Sequence, residues 1–170
     1  MRLEQAREMA LELMREHGLL ADGWTFKFDA GVKRFGATHW KKDRFTKEFV
    51  EKKITLARDL VKINTEERVR RTMLHEIAHA LAGPHAGHGP LWLAKCAEVG
   101  IPDEKACYTN ETTVTLPARW IGRCPKCTVK VERERLTKRN RNAWHTGCGD
   151  REHPIEWTKN PERVAIQQAA

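Results

Sequence analysis

Hydrophobic positions recur along this chain with two different periods. Over residues 3–16, Leu3, Ala6, Met9, Ala10, Leu13 and Met14 return at three- and four-residue steps, the stripe of an amphipathic helix, and Gly18 supplies its stop. From residue 24 the period shortens to two. WTFKFDA (24–30) puts Trp24, Phe26 and Phe28 on one side of a strand, and FGATHWKK (35–42) and KKITLARDLV (52–61) alternate more weakly. Asp22-Gly23, Ala30-Gly31 and Gly36 punctuate these pieces, which together predict a small antiparallel sheet.

The helical period then returns. Asn64 is placed to cap a helix running from Thr65 to about Ala82, with Glu67 three residues on as in a capping box and Gly83-Pro84 as the stop. Val69, Met73, Ile77 and Leu81 recur every four residues on its core face. A loop, GPHAGHG (83–89), leads to Pro90, which suits the first turn of a further helix, Leu91 to Val99, closed by Gly100 and Pro102. Residues 103–122 lack periodicity and read as a connector, 123–150 carry clustered cysteines, and the tail beyond Glu162 is expected to fray.

Composition narrows the class. The 170 residues are 40% hydrophobic and 32% charged, the balance of a globular protein of one domain plus a small appendage. No stretch approaches the ~18 apolar residues of a membrane span, and the charged N-terminus lacks the apolar core of a signal peptide, so a cytoplasmic setting is expected. Five cysteines then suit metal ligation better than a disulfide framework. Net charge is +8 and uneven: residues 119–170 hold 12 basic and 6 acidic side chains, against 19 and 17 in residues 1–118. A basic field localised in the last third favours a polyanion such as nucleic acid.

The strongest chemical signal is His75-Glu76-Ile77-Ala78-His79. Histidines at i and i+4 share one helical face, so their imidazoles can converge on one ion, while Glu76, turned about 100° away, can serve as a general base. A catalytic zinc uses three protein ligands and a water, and zinc lowers the pKa of that water from about 15.7 towards about 7. Three residues compete for the third place. His85 has the metzincin spacing, but Ala82 stands where that pattern wants glycine; His88 opens the next helix; Glu98 lies on that helix. Tyr108 and His39 are candidate oxyanion donors, and neither is assigned. Cys96 and Cys107 have no partner spacing and are expected to be small buried residues.

A second cluster follows. Cys124 and Cys127 precede His145 and Cys148 by 17 intervening residues, the spacing of a zinc ribbon with one histidine in its ligand set. His145 is preferred to His153, which lies outside the knuckle pair. Four such ligands close a site, so this zinc would be structural. The span between the pairs predicts a β-hairpin, with 130–136 as its first strand. Its tip gathers Arg133, Arg135, Lys138, Arg139 and Arg141 beside Trp144, a set that suits phosphates and a stacked base without reading sequence.

The run HEIAHALAGPHAGHGPLWLAKCAEVGIP resembles the core of the SprT-like metallopeptidases, the group that includes Spartan. There, the H-E-x-x-H helix is followed by a loop and His-Gly-x-x-Phe/Trp, whose histidine is the third ligand; Gly89 and Trp92 fall in the matching places. The resemblance covers residues 50–102 well and favours His88. It implies an α+β fold: a zincin-like core over 1–118, in which a small antiparallel sheet packs on helices, a zinc ribbon over 119–160, and a disordered tail over 161–170. It further implies a zinc-dependent endopeptidase with one catalytic and one structural Zn2+. Its substrates would be DNA-associated or DNA-crosslinked proteins, and DNA binding would be sequence-tolerant. The setting would be the nucleoid, or a host cytoplasm for a phage protein, with a monomer favoured. SprT-like proteins commonly carry such a ribbon, although cysteine is usual where His145 stands. The competing reading is a non-catalytic nucleic-acid-binding protein that keeps a zincin scaffold.

Overall fold

The computed structural model describes residues 1–106, 113–149 and 153–169, which form two compact units, Met1–Thr115 and Leu116–Ala170. Cys107 and Tyr108 lie outside the described residues. The first unit opens with helix α1 (Leu3–Glu16), which buries Ala6, Ala10, Leu13 and Met14, the stripe its periodicity marks. Three strands follow, β1 (Thr25–Asp29), β2 (Gly36–Lys42) and β3 (Phe49–Ala57), ordered β1-β3-β2.

This sheet corrects the antiparallel expectation. β2 and β3 form an antiparallel hairpin, but β1 pairs parallel with β3, so the sheet is mixed. The reason lies in burial. The C-terminal half of β3 is buried on both faces, with Ile54 and Leu56 at 0% exposure and Thr55 and Ala57 at 4% and 1%. Such a strand takes the centre and leaves β1 and β2 as edges. Alternation within a strand records faces and carries no information about its neighbour's direction. β3 also ends earlier than its apolar run suggests: Leu60 and Val61 belong to a short helix, α2 (Arg58–Ile63), that turns them into the core.

Helix α3 (Glu66–Ala82) carries Val69, Met73 and Ile77 fully buried along its core face. Its cap is Thr65, whose hydroxyl accepts from the Arg68 N–H at 3.3 Å, and not Asn64. Asn64 is 6% exposed, and its amide is used there for both donation and acceptance. Nδ2 donates to the Leu60 and Val114 carbonyls at 2.9 and 3.0 Å, and Oδ1 accepts from the Val114 N–H at 2.9 Å. A threonine hydroxyl suffices for a cap; only the amide can bridge both backbone groups of Val114. Helix α4 (Pro90–Glu98) then packs on α3 and buries Trp92 and Cys96.

The second unit is built on strands β4 (Trp120–Arg123), β5 (Lys130–Arg133) and β6 (Glu156–Lys159), an antiparallel sheet ordered β5-β4-β6. Two expectations are corrected here. Residues 120–122, read as connector, belong to the central strand. The hairpin is β4–β5, wrapped around Cys124 and Cys127, and does not lie between the two knuckles. Lys130–Arg133 thus pairs with the strand nearest in sequence, which closes the shorter loop. The basic stretch Lys138–Arg141 is a short helix, α5, capped by Thr137. β4 admits no side chain at Gly122, where a Cβ would sit 2.8 Å from the Trp157 ring.

The expected disordered tail is also corrected. Pro161–Gln168 form helix α6, capped by the Asn160 side chain. Arg163 is 1% exposed and donates to the Pro117 carbonyl at 3.2 Å, with Glu134 3.8 Å away. The segment's polar composition hid this anchoring, which is made by a buried arginine and not by an apolar face.

Thr65→Ala is expected to lower the unfolding free energy by about 1 kcal/mol through loss of the cap. Asn64→Ala should cost more, about 1–3 kcal/mol, because buried backbone groups lose their partner. Chemical denaturation of the two variants beside the wild type checks the order.

Candidate metal centre

One turn of α3 separates His75 from His79, and the loop after α3 returns His88 over them. Nε2 of His88 lies 3.1 Å from Nε2 of His79 and 3.3 Å from Nε2 of His75, and one ligand atom from each ring lies within 4.8 Å of the others. Zinc–nitrogen bonds of about 2.0–2.1 Å in a tetrahedron put neighbouring nitrogens roughly 3.3 Å apart, so the donor set and its spacing fit zinc. Trp92 of α4, fully buried, forms the floor: its ring lies 4.9, 5.3 and 4.6 Å from those of His75, His79 and His88. The tryptophan thus holds the three rings from below. His85, exposed in the same loop, stays outside this group, and Glu98 pairs with Lys95 at 2.7 Å on α4.

Two of the rings, those of His79 and His88, have a lowered affinity for protons, which favours the neutral form that a metal requires. Burial, with His75 and His88 beside it, pushes the His79 imidazole down to about 4. Burial and then His75 lower His88 as well. Behind His75, Nδ1 lies 3.0 Å from Oε1 of Glu104, whose side chain is fully buried and whose Oε2 accepts from Arg71 Nε at 2.7 Å. Arg71 also reaches Asp103 at 2.9 Å. The sequence reading missed Glu104. It lies 29 residues from His75 with no motif between them; an acidic pair just past α4 was the only available hint.

Glu76 points from α3 towards β2. Thr38 on that strand sets its hydroxyl 2.7 Å from Glu76 Oε2 and 2.9 Å from the Glu76 carbonyl oxygen, and donates to one or the other. Gly36 makes the approach possible, since a Cβ there would lie 2.7 Å from Glu76 Cγ and Oε1. Burial pushes the Glu76 carboxyl above its ordinary range, against the Thr38 hydrogen bond and the nearby His75, which lower it. A cleft of about 430 Å³ runs past Thr38, Trp40, Glu76, His79 and His88, with Arg34 at its side. The sequence marks Gly36 only as a turn position and does not single out Thr38, because only the fold brings β2 against α3. His39 is engaged with Thr55 at 3.2 Å and does not line this cleft.

The second unit gathers Cys124, Cys127, His145 and Cys148, with one donor atom from each within 4.8 Å of the others; His153 is outside the group. Sγ of Cys124 and Cys148 are 3.8 Å apart, close to the roughly 3.8 Å between two sulfurs on a tetrahedral zinc with bonds of about 2.3 Å. His145 Nδ1 lies 3.3 and 3.2 Å from the Cys127 and Cys148 sulfurs. The Lys126 N–H, donated to sulfur, lowers the Cys124 thiol. Hydrogen bonding to Cys127, burial and then the neighbouring Cys124 push Cys148 up to about 12. A second thiolate is therefore unfavourable until a cation balances the first, and these four residues can hold one. Arg133, Arg135, Lys138, Arg139, Arg141 and Trp144 are all exposed on this unit.

The description of the SprT-like family matches residues 9–115, ending where the first compact unit ends. The chain belongs to the SprT-like family. No curated protein sequence matches it. The family match spans both α3 and the His88 loop and stops before the cysteine cluster, so the second unit of this SprT-like protein stands on its own geometry.

Protonation sets one expectation here. His79 has an ordinary value of 6.5 and a folded value of about 4, so between these values the unfolded chain binds the proton and the folded chain does not. The contribution of His79 is complete above pH 6.5 and is lost as the pH falls through about 4. In metal-free protein the unfolding free energy of wild type relative to that of His79→Gln should therefore fall from pH 7 to pH 4, as followed by urea denaturation. Chelation should open residues 116–170 to limited proteolysis before residues 1–115, because the smaller unit has little core of its own.

Proposed function

We propose that this SprT-like protein is a zinc-dependent endopeptidase. His75, His79 and His88 hold the catalytic zinc, Glu76 is the general base and then acid, and Cys124, Cys127, His145 and Cys148 hold a structural zinc. The observation that carries this reading is the convergence of three imidazoles, with His88 Nε2 3.1 and 3.3 Å from those of His79 and His75, beside a buried carboxylate that faces the same cleft.

A zinc ion held by His75, His79 and His88 would supply Lewis acidity towards the scissile carbonyl and water. Glu76 accepts a proton from the attacking water as its oxygen bonds to the carbonyl carbon. It then delivers that proton to the amide nitrogen as the C–N bond breaks. A carboxyl whose affinity for protons is raised by burial is suited to both halves of that exchange. The Thr38 hydroxyl keeps the carboxylate in one orientation. β2 pairs on one side with β3, and its residues Gly36, Thr38 and Trp40 line the cleft. An extended substrate segment can add to that strand through backbone hydrogen bonds, which reads peptide and not side chain.

The substrates in this reading are proteins on or crosslinked to DNA, met in the cytoplasm or nucleoid. Support comes from the second unit: the exposed cations Arg133, Arg135, Lys138, Arg139 and Arg141 suit a phosphate backbone. Trp144 lines a cavity of about 180 Å³ with Trp157 and can stack a base.

Glu76→Gln should retain both metal ions yet lose about 10²–10⁴-fold in peptide cleavage, measured on a denatured protein substrate. His88→Ala should drop the metal content from two ions to one while His85→Ala keeps two, by elemental analysis. Equal loss in the two variants, or cleavage by Glu76→Gln at the wild-type rate, removes this reading. Added single-stranded DNA should raise cleavage of a DNA-bound substrate, and the effect should fade with salt.

A further inference from the structure

We infer that Glu104 and Arg71 form a positioning pair that fixes His75 as its Nδ1–H tautomer and so aims the Nε2 lone pair at the metal. This rests on the reading of His75, His79 and His88 as ligands. A neutral imidazole carries one N–H, and the nitrogen that holds it cannot ligate. For Nε2 of His75 to bind, the proton must sit on Nδ1, and in a nearly dry place that N–H needs an acceptor. Glu104 Oε1 is that acceptor, 3.0 Å away on a fully buried side chain.

The carboxylate is itself held. Its other oxygen accepts from Arg71 Nε at 2.7 Å, and Arg71 stands four residues before His75, one turn earlier on the same helix. One helix therefore presents both the ligand and the cation that balances its carboxylate. The backbone brings Glu104 there through the end of α4. Gly100 turns in the left-handed region (φ 90°), the Ile101 N–H donates back to the Cys96 carbonyl at 2.8 Å, and the Glu104 N–H donates to the Ile101 carbonyl at 3.1 Å. Asp103 takes the remaining reach of Arg71 from the exposed side. His75 is thus anchored from behind, and a negative charge there makes its ring a stronger donor. Glu104 touches neither substrate nor metal; it acts through His75.

The test uses the full chain with Glu104→Ala, Glu104→Gln, Arg71→Met and, as control, Arg70→Met on the exposed side of α3. Two readouts are taken: the zinc dissociation constant of the histidine site by competition with a chromogenic chelator, and the tautomer of His75 by ¹⁵N NMR of the metal-free protein. Glu104→Ala should weaken zinc about 10–100-fold and shift His75 towards the Nε2–H form. Glu104→Gln, which keeps an acceptor oxygen, should retain the Nδ1–H tautomer and lose less zinc affinity. Arg71→Met should fall between, and Arg70→Met should match the wild type. A folded Glu104→Ala with unchanged affinity and tautomer overturns the inference, as does a wild-type His75 found as Nε2–H. If Glu104→Ala does not fold, the wild-type tautomer and the Glu104→Gln affinity decide. Should the wild-type histidine site take up no zinc, the peptidase reading fails, while the tautomer still judges Glu104 on its own.

Discussion

Three imidazoles converge, with His88 Nε2 3.1 and 3.3 Å from those of His79 and His75, and that arrangement has to be held together by its surroundings. The helix does the first part. A spacing of four residues puts His75 and His79 on one face without any tertiary help. The rest is packing. Trp92 lies under all three rings, and Glu104 takes the far side of His75. Burial lowers the proton affinity of His79 and His88, which leaves their lone pairs for a cation. Much of the first unit follows from this demand. α4 must return across α3 to bring Trp92, the loop between them must be short enough to lay His88 over the helix, and the chain past α4 must fold back to bring Glu104.

The same helix meets the sheet on its other side, and there the constraint is steric. Glu76 can approach β2 only because position 36 has no side chain, and it is oriented by the hydroxyl of Thr38 two residues along. Strand alternation sends positions 36, 38 and 40 to one face, which is the face lining the cleft. One face of an edge strand thus serves the carboxylate. The β3 strand carries the burial that makes this possible: with its C-terminal half buried on both faces, it takes the centre and leaves β2 at the edge.

The second unit solves a different problem with similar means. Fifty-odd residues with few large apolar side chains bury little surface, and the four clustered donors supply a reason for the chain to close. Crowded thiols oppose one another's ionisation, visible in the rise of Cys148 to about 12, and a cation reverses that opposition. Around the cluster, Gly122 lets Ile155 and Trp157 lie flat on the central strand, and Arg163 secures the last helix from within. Arg133, Arg135, Lys138, Arg139 and Arg141 stay on the outside.

By itself, the sequence determined whatever is local in the chain. The spacing of His75, Glu76 and His79 follows from 3.6 residues per turn, the α1 stripe from the same number, and the C-x2-C knuckle from the reach of two adjacent cysteines. The similarity of the GPHAGHGPLW stretch to SprT-like proteins singled out His88 where spacing alone left His85 and Glu98 open. Tertiary structure decided the rest, because the deciding partners are far apart in sequence. The direction of β1 depends on which strand is buried on both faces. The cap of α3 falls to Thr65 because Asn64 is taken by Val114, fifty residues away. Thr38, Gly36 and Glu104 join the site across 38, 40 and 29 residues, distances over which no periodicity survives. Helix α6 was hidden for the same reason: a polar segment looks unanchored until a buried arginine and the carbonyl it reaches, 46 residues earlier, are seen together.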